Sequence, residues 1–279
     1  MTIRLKYPCI ALLAALGLQT AFGGLIGVDY DTGELYSVSE SNAALTPIGS
    51  TGITGAWGDI AFAPNGTLYG FSDSAAPTPT LYTINPSTAA TNAVGPLGNG
   101  FVFEGALAIT PGGIAYAMST GSSSNAGLFT INLSTGTATD IGTVYGATDI
   151  NGLVYRSDGK LVGLDDNTNS LVVIDPIALT ATLLAAVPTS VGAVGGMTSD
   201  NGVGYYVTGG PSVSGSDDLY SFNLFTGVST LVGSPGLADS GLSGLAALPS
   251  TTTPEPSTFA LFVVGFGSAL MLKFRKRKA

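Results

Sequence analysis

The 279-residue chain contains no histidine. A Ser-His-Asp triad therefore cannot be assembled, and no zinc site can draw on imidazole. The single cysteine is Cys9, close to the N-terminus. The body of the chain thus has no disulfide, no thiol nucleophile and no cysteine metal ligand. Charge is scarce at 10% of residues, and basic residues are the scarcer kind, nine against eighteen acids. Arg4 and Lys6 lie at the N-terminus, and Lys273, Arg275, Lys276, Arg277 and Lys278 lie in the last seven positions. Only Arg156 and Lys160 stand between them. Seventeen acids fall from Asp29 to Asp239, so with those two bases the middle carries a net charge of −15. Such a surface repels nucleic acid and suits solubility outside the cell. It also attracts divalent cations. No stretch between residues 24 and 250 sustains a 3.6-residue apolar period, which argues against a helical body.

What is present is concentrated first at the two ends. Residues 1–23 read as a secretory signal peptide. Arg4 and Lys6 supply the positive start, Ile10 to Leu18 the apolar run, and Ala21 and Gly23 the small residues that a signal peptidase reads. Cleavage is expected after Gly23. Cys9 precedes the apolar core and so is not placed as a lipid-carrying cysteine. The apolar run is short for an uncleaved anchor. A second apolar segment, 257–272, reads as one transmembrane helix. Its sixteen residues would rise about 24 Å, and snorkelling Lys and Arg stems would make up part of the missing thickness. The basic tail 273–279 is expected to stay cytoplasmic by the positive-inside rule, with the middle exported.

Pro254-Glu255-Pro256, then Ser257-Thr258, the apolar segment and the basic cluster Lys273, Arg275, Lys276, Arg277 and Lys278 resemble the PEP-CTERM sorting signal. The resemblance covers residues 254–279, and departs from the pattern where Lys273 interrupts the end of the helix before Phe274. It implies recognition and processing by the membrane enzyme exosortase. It also implies a place at the cell surface or in an exopolysaccharide or biofilm matrix. Residues 250–256 read as a stiff linker carrying the motif, which suits an enzyme needing access.

The middle, 24–249, is a fivefold repeat. A Leu-aromatic pair recurs at Leu35-Tyr36, Leu81-Tyr82, Leu128-Phe129 and Leu219-Tyr220, with Leu171-Val172 in the remaining copy. A second column, Gly49, Gly95, Gly142, Ala185 and Gly233, keeps the same spacing. Turn glycines form a third: Gly66, Gly113, Gly159 and Gly202. Asn65-Gly66, Asp158-Gly159 and Asn201-Gly202 are hairpin dipeptides, because Asn, Asp and Gly tolerate positive φ. Each repeat then reads as four short strands, in the second copy Asp59–Ala63, Thr67–Phe71, Leu81–Ile84 and Thr91–Gly95. Four-stranded units at this period predict an all-β, five-bladed β-propeller. The ends are complementary. The first copy opens at Leu25–Tyr30 without an inner strand, and Leu245 to Leu248 supplies one with no hairpin after it. Three strands from one end and one from the other would close the ring as a latch. A β-sandwich or an open solenoid is the alternative, and neither accounts for the complementary ends.

Chemistry is sparse. Ser157-Asp158-Gly159-Lys160 matches Ser-x-x-Lys, but its Asp-Gly reads as a turn and not as the helix that the motif needs. Asp165-Asp166-Asn167-Thr168-Asn169 offers oxygen ligands to Ca²⁺, with Asp217-Asp218 and Asp73 in the equivalent loops. Solvated turn chemistry is the plainer reading. Asp59, Glu104 and Asp149 fall near inner-strand starts, where paired carboxylates could support glycoside hydrolysis. Trp57 could stack on a sugar or simply pack between blades. The expectation is a noncatalytic, exported scaffold or binder without a resident cofactor. The rivals are an extracellular hydrolase or lactonase with a carboxylate or Ca²⁺ centre, and a lectin-like binder with one site per blade. A Gly-lined or apolar channel would favour the scaffold, and a convergent carboxylate cluster the enzyme.

Overall fold

The computed structural model describes residues 24–72, 79–98, 105–119, 125–210, 212 and 214–249. The expected signal peptide with Ala21 and Gly23, the motif Pro254, Glu255 and Pro256, the helix 257–272 and the basic cluster 273–278 lie outside the described residues, as do Asp73 and Glu104. Among the described residues, no helix is long and apolar enough to cross a membrane.

Among the described residues, twenty strands alternate with short turns. The first three are β1 (Leu25–Asp29), β2 (Glu34–Val38) and β3 (Leu45–Ser50). Four complete sheets follow. The second blade is β4 (Trp57–Phe62), β5 (Leu68–Ser72), β6 (Thr80–Ile84) and β7 (Thr91–Pro96). The third is β8 (Gly105–Ile109), β9 (Ala115–Ser119), β10 (Ala126–Ile131) and β11 (Ala138–Val144). The fourth is β12 (Ile150–Tyr155), β13 (Leu161–Asp165), β14 (Ser170–Asp175) and β15 (Thr180–Ala186). The fifth is β16 (Met197–Asp200), β17 (Val203–Val207), β18 (Leu219–Asn223) and β19 (Ser229–Gly233). The last strand, β20 (Leu242–Ala247), returns to pair antiparallel with β1, so the first blade is β20-β1-β2-β3. The protein is a five-bladed β-propeller of four-stranded antiparallel sheets, closed by three strands from one end and one from the other. The closing strand starts at Leu242, three residues earlier than the apolar run suggested, because Leu242 is needed opposite Asp29.

The inner strands meet in a closed ring, β20 to β4, β8, β12, β16 and back to β20. Each sheet has two apolar faces and covers each with a neighbour. The core is accordingly divided into five clusters, one per seam. Leu81 and Phe71 meet Leu107 and Phe129 between the second and third blades, and Leu25 and Leu245 meet Val207 and Leu219 at the closing seam. Burial of this kind is worth about 25 cal/mol per Å² of apolar surface, and no blade achieves it alone.

The two strongest sequence columns are cross-strand partners in every blade: Leu35 with Gly49, Leu81 with Gly95, Leu128 with Gly142, Leu171 with Ala185 and Leu219 with Gly233. A register shift follows each pair. The small residue serves the next blade as well. A Cβ on Gly95 would lie 2.2 Å from the Thr135 carbonyl, and one on Gly233 would lie 2.5 Å from the Asn42 carbonyl across the closing seam. At Gly95 and Gly233 the β7 and β19 strands thus touch the backbone of the following blade's turn, and that close approach leaves no room even for the methyl of Ala.

Candidate functional site

The inner strands place five equivalent residues around the axis: Asp59, Ala106, Gly152, Gly196 and Gly244. A Cβ on Gly196 would lie 2.5 Å from the Gly244 Cα, and one on Gly244 would lie 3.1 Å from the Asp59 Cα. At Gly196 and Gly244 the ring is therefore as tight as backbone allows; Ala106 adds only a methyl, and the Asp59 carboxylate is the polar side chain among the five. Asp59 is fully buried. Its Oδ1 accepts from the Ile60 N–H at 2.8 Å and the Leu245 N–H at 3.3 Å, and its Oδ2 accepts from the Leu107 N–H at 3.0 Å. The Leu153 N–H also donates to this carboxylate. These amides belong to inner strands whose axial edge has no strand partner, so one carboxylate satisfies donors from four blades at once. Burial pushes the Asp59 carboxyl well above its ordinary value, with the backbone donors opposing that rise.

Asp59 separates two mouths. On one side, a cavity of about 190 Å³ is lined by the ends of the inner strands, with half-buried Phe62, Ile109 and Tyr155 opposite Thr198 and Ser199. The Thr198 hydroxyl accepts from the Ala247 N–H at 3.0 Å, which fixes it against the latch strand. On the other side, a much smaller cavity of about 10 Å³ lies between Trp57, Gly58, Gly105, Asn151, Gly195 and Ser243.

The sequence-selected residues fare differently. Trp57 is fully buried, donates to the Ile53 carbonyl at 3.2 Å, meets Tyr82 of its own blade and shares a core cluster with Ile26, Val28 and Leu35 of the first, so the sugar-stacking reading is replaced by packing between blades. Asp59 and Asp149 do not act as a pair. Asp149 instead shares a hydrogen bond with Asp166, and desolvation with mutual repulsion pushes Asp166 up to about 7. In the run 165–169, Asp165 is buried and accepts from the Thr148 N–H and hydroxyl and from the Thr168 N–H. Its oxygens are committed to turn geometry. Asp217 is buried, accepts from the Leu237 N–H at 2.6 Å and is pushed up to about 6, largely by desolvation. In the Ser-x-x-Lys match, Lys160 pairs with Asp175 at 2.6 Å, and Asp158-Gly159 forms the turn. Arg156 holds Asp158 through two hydrogen bonds, at 2.8 and 2.7 Å.

Two features escaped the sequence reading. Asp29, Asp31 and Asp239 bring carboxylate oxygens within 4.8 Å of one another at the latch. Asp29 is buried there, and burial, with a contribution from Asp239, raises its pKa. Asp29 and Asp239 stand 210 positions apart, which hides this cluster in a linear reading. The other is the pair Asn151 and Ser243, which the repeat columns would have exposed: three equivalent positions are Gly58, Gly105 and Gly195.

No family model and no curated protein matches the chain. Among solved structures, a chain of the nidogen/laminin complex is similar over 81% of this chain and 98% of its own length, with a TM-score of 0.53 and 11% identity. TolB from Acinetobacter baumannii is similar over 78% of this chain and 54% of its own, with a TM-score of 0.47 and 16% identity. At such identities the likeness concerns the fold, and the first of these structures joins the blade topology in identifying the body of this chain as a β-propeller.

Proposed function

We propose that this is an exported bacterial propeller, sorted through residues 254–279 by exosortase and serving as a noncatalytic scaffold or binder in an exopolysaccharide matrix or at the cell surface. The observation that carries the noncatalytic half is Asp59: the carboxylate on the channel axis has its oxygens taken by backbone N–H groups. A general acid or nucleophile needs an oxygen free to reach substrate. A saccharide would meet the propeller at the 190 Å³ mouth, where Phe62 and Tyr155 offer apolar faces and Thr198 and Ser199 offer hydroxyls. The sorting half is supported by the motif itself and by the latch. The closing strand ends at Ala247, short of Pro254, so processing at the motif would leave the ring intact.

C-terminal mass spectrometry on protein from the native host tests the sorting. The expected mature pool lacks the helix 257–272 and the basic tail. An intact Ala279 terminus overturns processing. Sedimentation with the host's purified exopolysaccharide tests the binding. Retention by the unmodified protein and loss in Tyr155→Ala is expected, and equal behaviour of the two removes the saccharide from this mouth.

One observation favours the rival hydrolase or lactonase with a Ca²⁺ centre, namely the Asp29, Asp31 and Asp239 cluster. Calorimetry with Ca²⁺ separates the readings: heat and thermal stabilisation that vanish in Asp31→Asn support a cation centre, and their absence removes it.

A further inference from the structure

On the side of the axis away from the saccharide mouth, the residues one step before the tight ring are Gly58, Gly105, Asn151, Gly195 and Ser243. Three blades present no side chain there and two present polar ones. Asn151 is 4% exposed and Ser243 2%. Neither the amide oxygen nor the amide nitrogen of Asn151 has a hydrogen-bond partner among the described residues, and the same holds for the Ser243 hydroxyl. Both line the 10 Å³ cavity. Leaving such groups unpaired forfeits their hydration with nothing in return, so a native structure satisfies them.

Both residues also sit where their strands depart from regular pairing. In the fourth blade, Ile150 pairs with Asp165 and Gly152 with Leu164, so Asn151 is skipped by the ladder. In the first, Gly244 pairs with Val28 and Leu242 with Asp29, so Ser243 is skipped. A bulge of this kind re-aims a side chain. The same irregularity recurs in the second blade between Trp57 and Ile60, where Gly58 has no side chain, so the repeat's bulge brings polar side chains to this small space on the axis only from the fourth and first blades.

We infer that Asn151 and Ser243 form a binding site for one ordered water molecule, which completes the polar plug begun by Asp59. The size fits, since a cavity needs about 10–15 Å³ to hold a water. The chemistry fits as well. The amide both donates and accepts, the hydroxyl does the same, and water is the small ligand that matches both characters. A cation would find only two neutral oxygens, because the Asp59 oxygens already accept backbone N–H groups. An anion would meet no positive charge. The consequence is a channel hydrogen-bonded across its waist, closed to solutes between its two mouths.

The test is a high-resolution crystal structure of the propeller, with a second crystal soaked in rubidium bromide. The expected result is a density peak about 2.7–3.2 Å from the Asn151 amide and the Ser243 hydroxyl, without anomalous signal in the soaked crystal. An anomalous peak at that point makes the site one for an ion and overturns the assignment, as does an empty cavity. The paired change Asn151→Val and Ser243→Ala is expected to remove the peak. Should that variant fail to fold, Ser243→Ala alone serves, with loss of occupancy expected. A peak of unchanged height in either variant shows that these residues do not hold it.

Discussion

The Asp59 carboxylate and the Leu245 N–H, 186 positions apart in the chain, meet at 3.3 Å on the ring axis. The same carboxylate serves Leu107 in the third blade and Ile60 in its own. Replacing Asp59 with Ala strands these amides in a space that water does not fill freely, at about 1–3 kcal/mol for each orphaned donor. Asp59→Asn is expected to be milder but still destabilising, because its amide nitrogen faces donors. Urea unfolding followed by near-ultraviolet circular dichroism reads both. An Asp59→Ala protein as stable as the parent would show that the axis is not held by this group.

The ring beside Asp59 leaves no space for a methyl group at Gly196. Gly196→Ala would press a Cβ within 2.5 Å of the Gly244 Cα, which is backbone and cannot swing aside. An overpacking cost of about 1–3 kcal/mol is expected. Gly112→Ala provides the control, since the nearest atom to its Cβ would be the Thr110 hydroxyl at 3.8 Å. Equal melting temperatures for the two variants would contradict the tight inner ring.

The latch makes its own prediction. The β1 strand lies between β20 and β2, with Leu25 opposite both Ala247 and Val38. A protein that begins at Tyr36 loses that middle strand and opens the first blade on both sides. It is expected to aggregate or to lose its cooperative unfolding transition, while residues 24–249 retain one. A shortened protein that melts like the longer one would mean that the ring does not depend on closure.

Stability should fall as pH rises from about 4 to 7. Asp166 titrates near 7 and Asp217 near 6 in the folded protein, against an ordinary 3.8. Within that interval the folded state keeps protons that the unfolded chain has released, so raising the pH favours unfolding. The Asp175 carboxyl works in the opposite sense, held down to about 2 by the Lys160 ammonium, but this pair lies at the surface and acts only in stronger acid. The melting temperature is expected to be higher at pH 5 than at pH 8, and Asp166→Asn should flatten the slope. An unchanged slope in that variant would place the pH dependence elsewhere.

At the latch, burial raises the pKa of Asp29, and like-charge repulsion from Asp239 adds a smaller share. Asp239→Asn removes a charge and keeps an oxygen to accept the Gly241 N–H. A higher melting temperature is expected in low salt, with the gain shrinking as salt screens the remaining charges. A loss of stability would indicate that the three carboxylates are not in net repulsion.

The architecture was legible because propeller repeats are local. Each hairpin is short, its turn needs Asn, Asp or Gly, and its pairing sets the spacing between the Leu and Gly columns. That is why Leu35 with Gly49 and Leu219 with Gly233 keep one register through five copies. The axial residues were less legible. Asp59 was visible as an acid near an inner-strand start, but its four-blade role depends on amides that no linear reading brings together. Trp57 was visible as a lone aromatic, and only its burial decided between stacking and packing.

By itself the sequence determined the number of blades, the four strands of each and the way the ends close, since these follow from turn chemistry and the alternation of apolar residues. It also determined that histidine and cysteine chemistry have no place in the body. Tertiary structure alone decided what the acids do. Whether a carboxylate is a ligand, a half of an acid pair or a plug depends on which groups lie within about 3 Å, and ring closure sets those neighbours across most of the chain. Asp59 became a bond to backbone, Asp149 a partner of Asp166, and Asp29 a member of a cluster with Asp239.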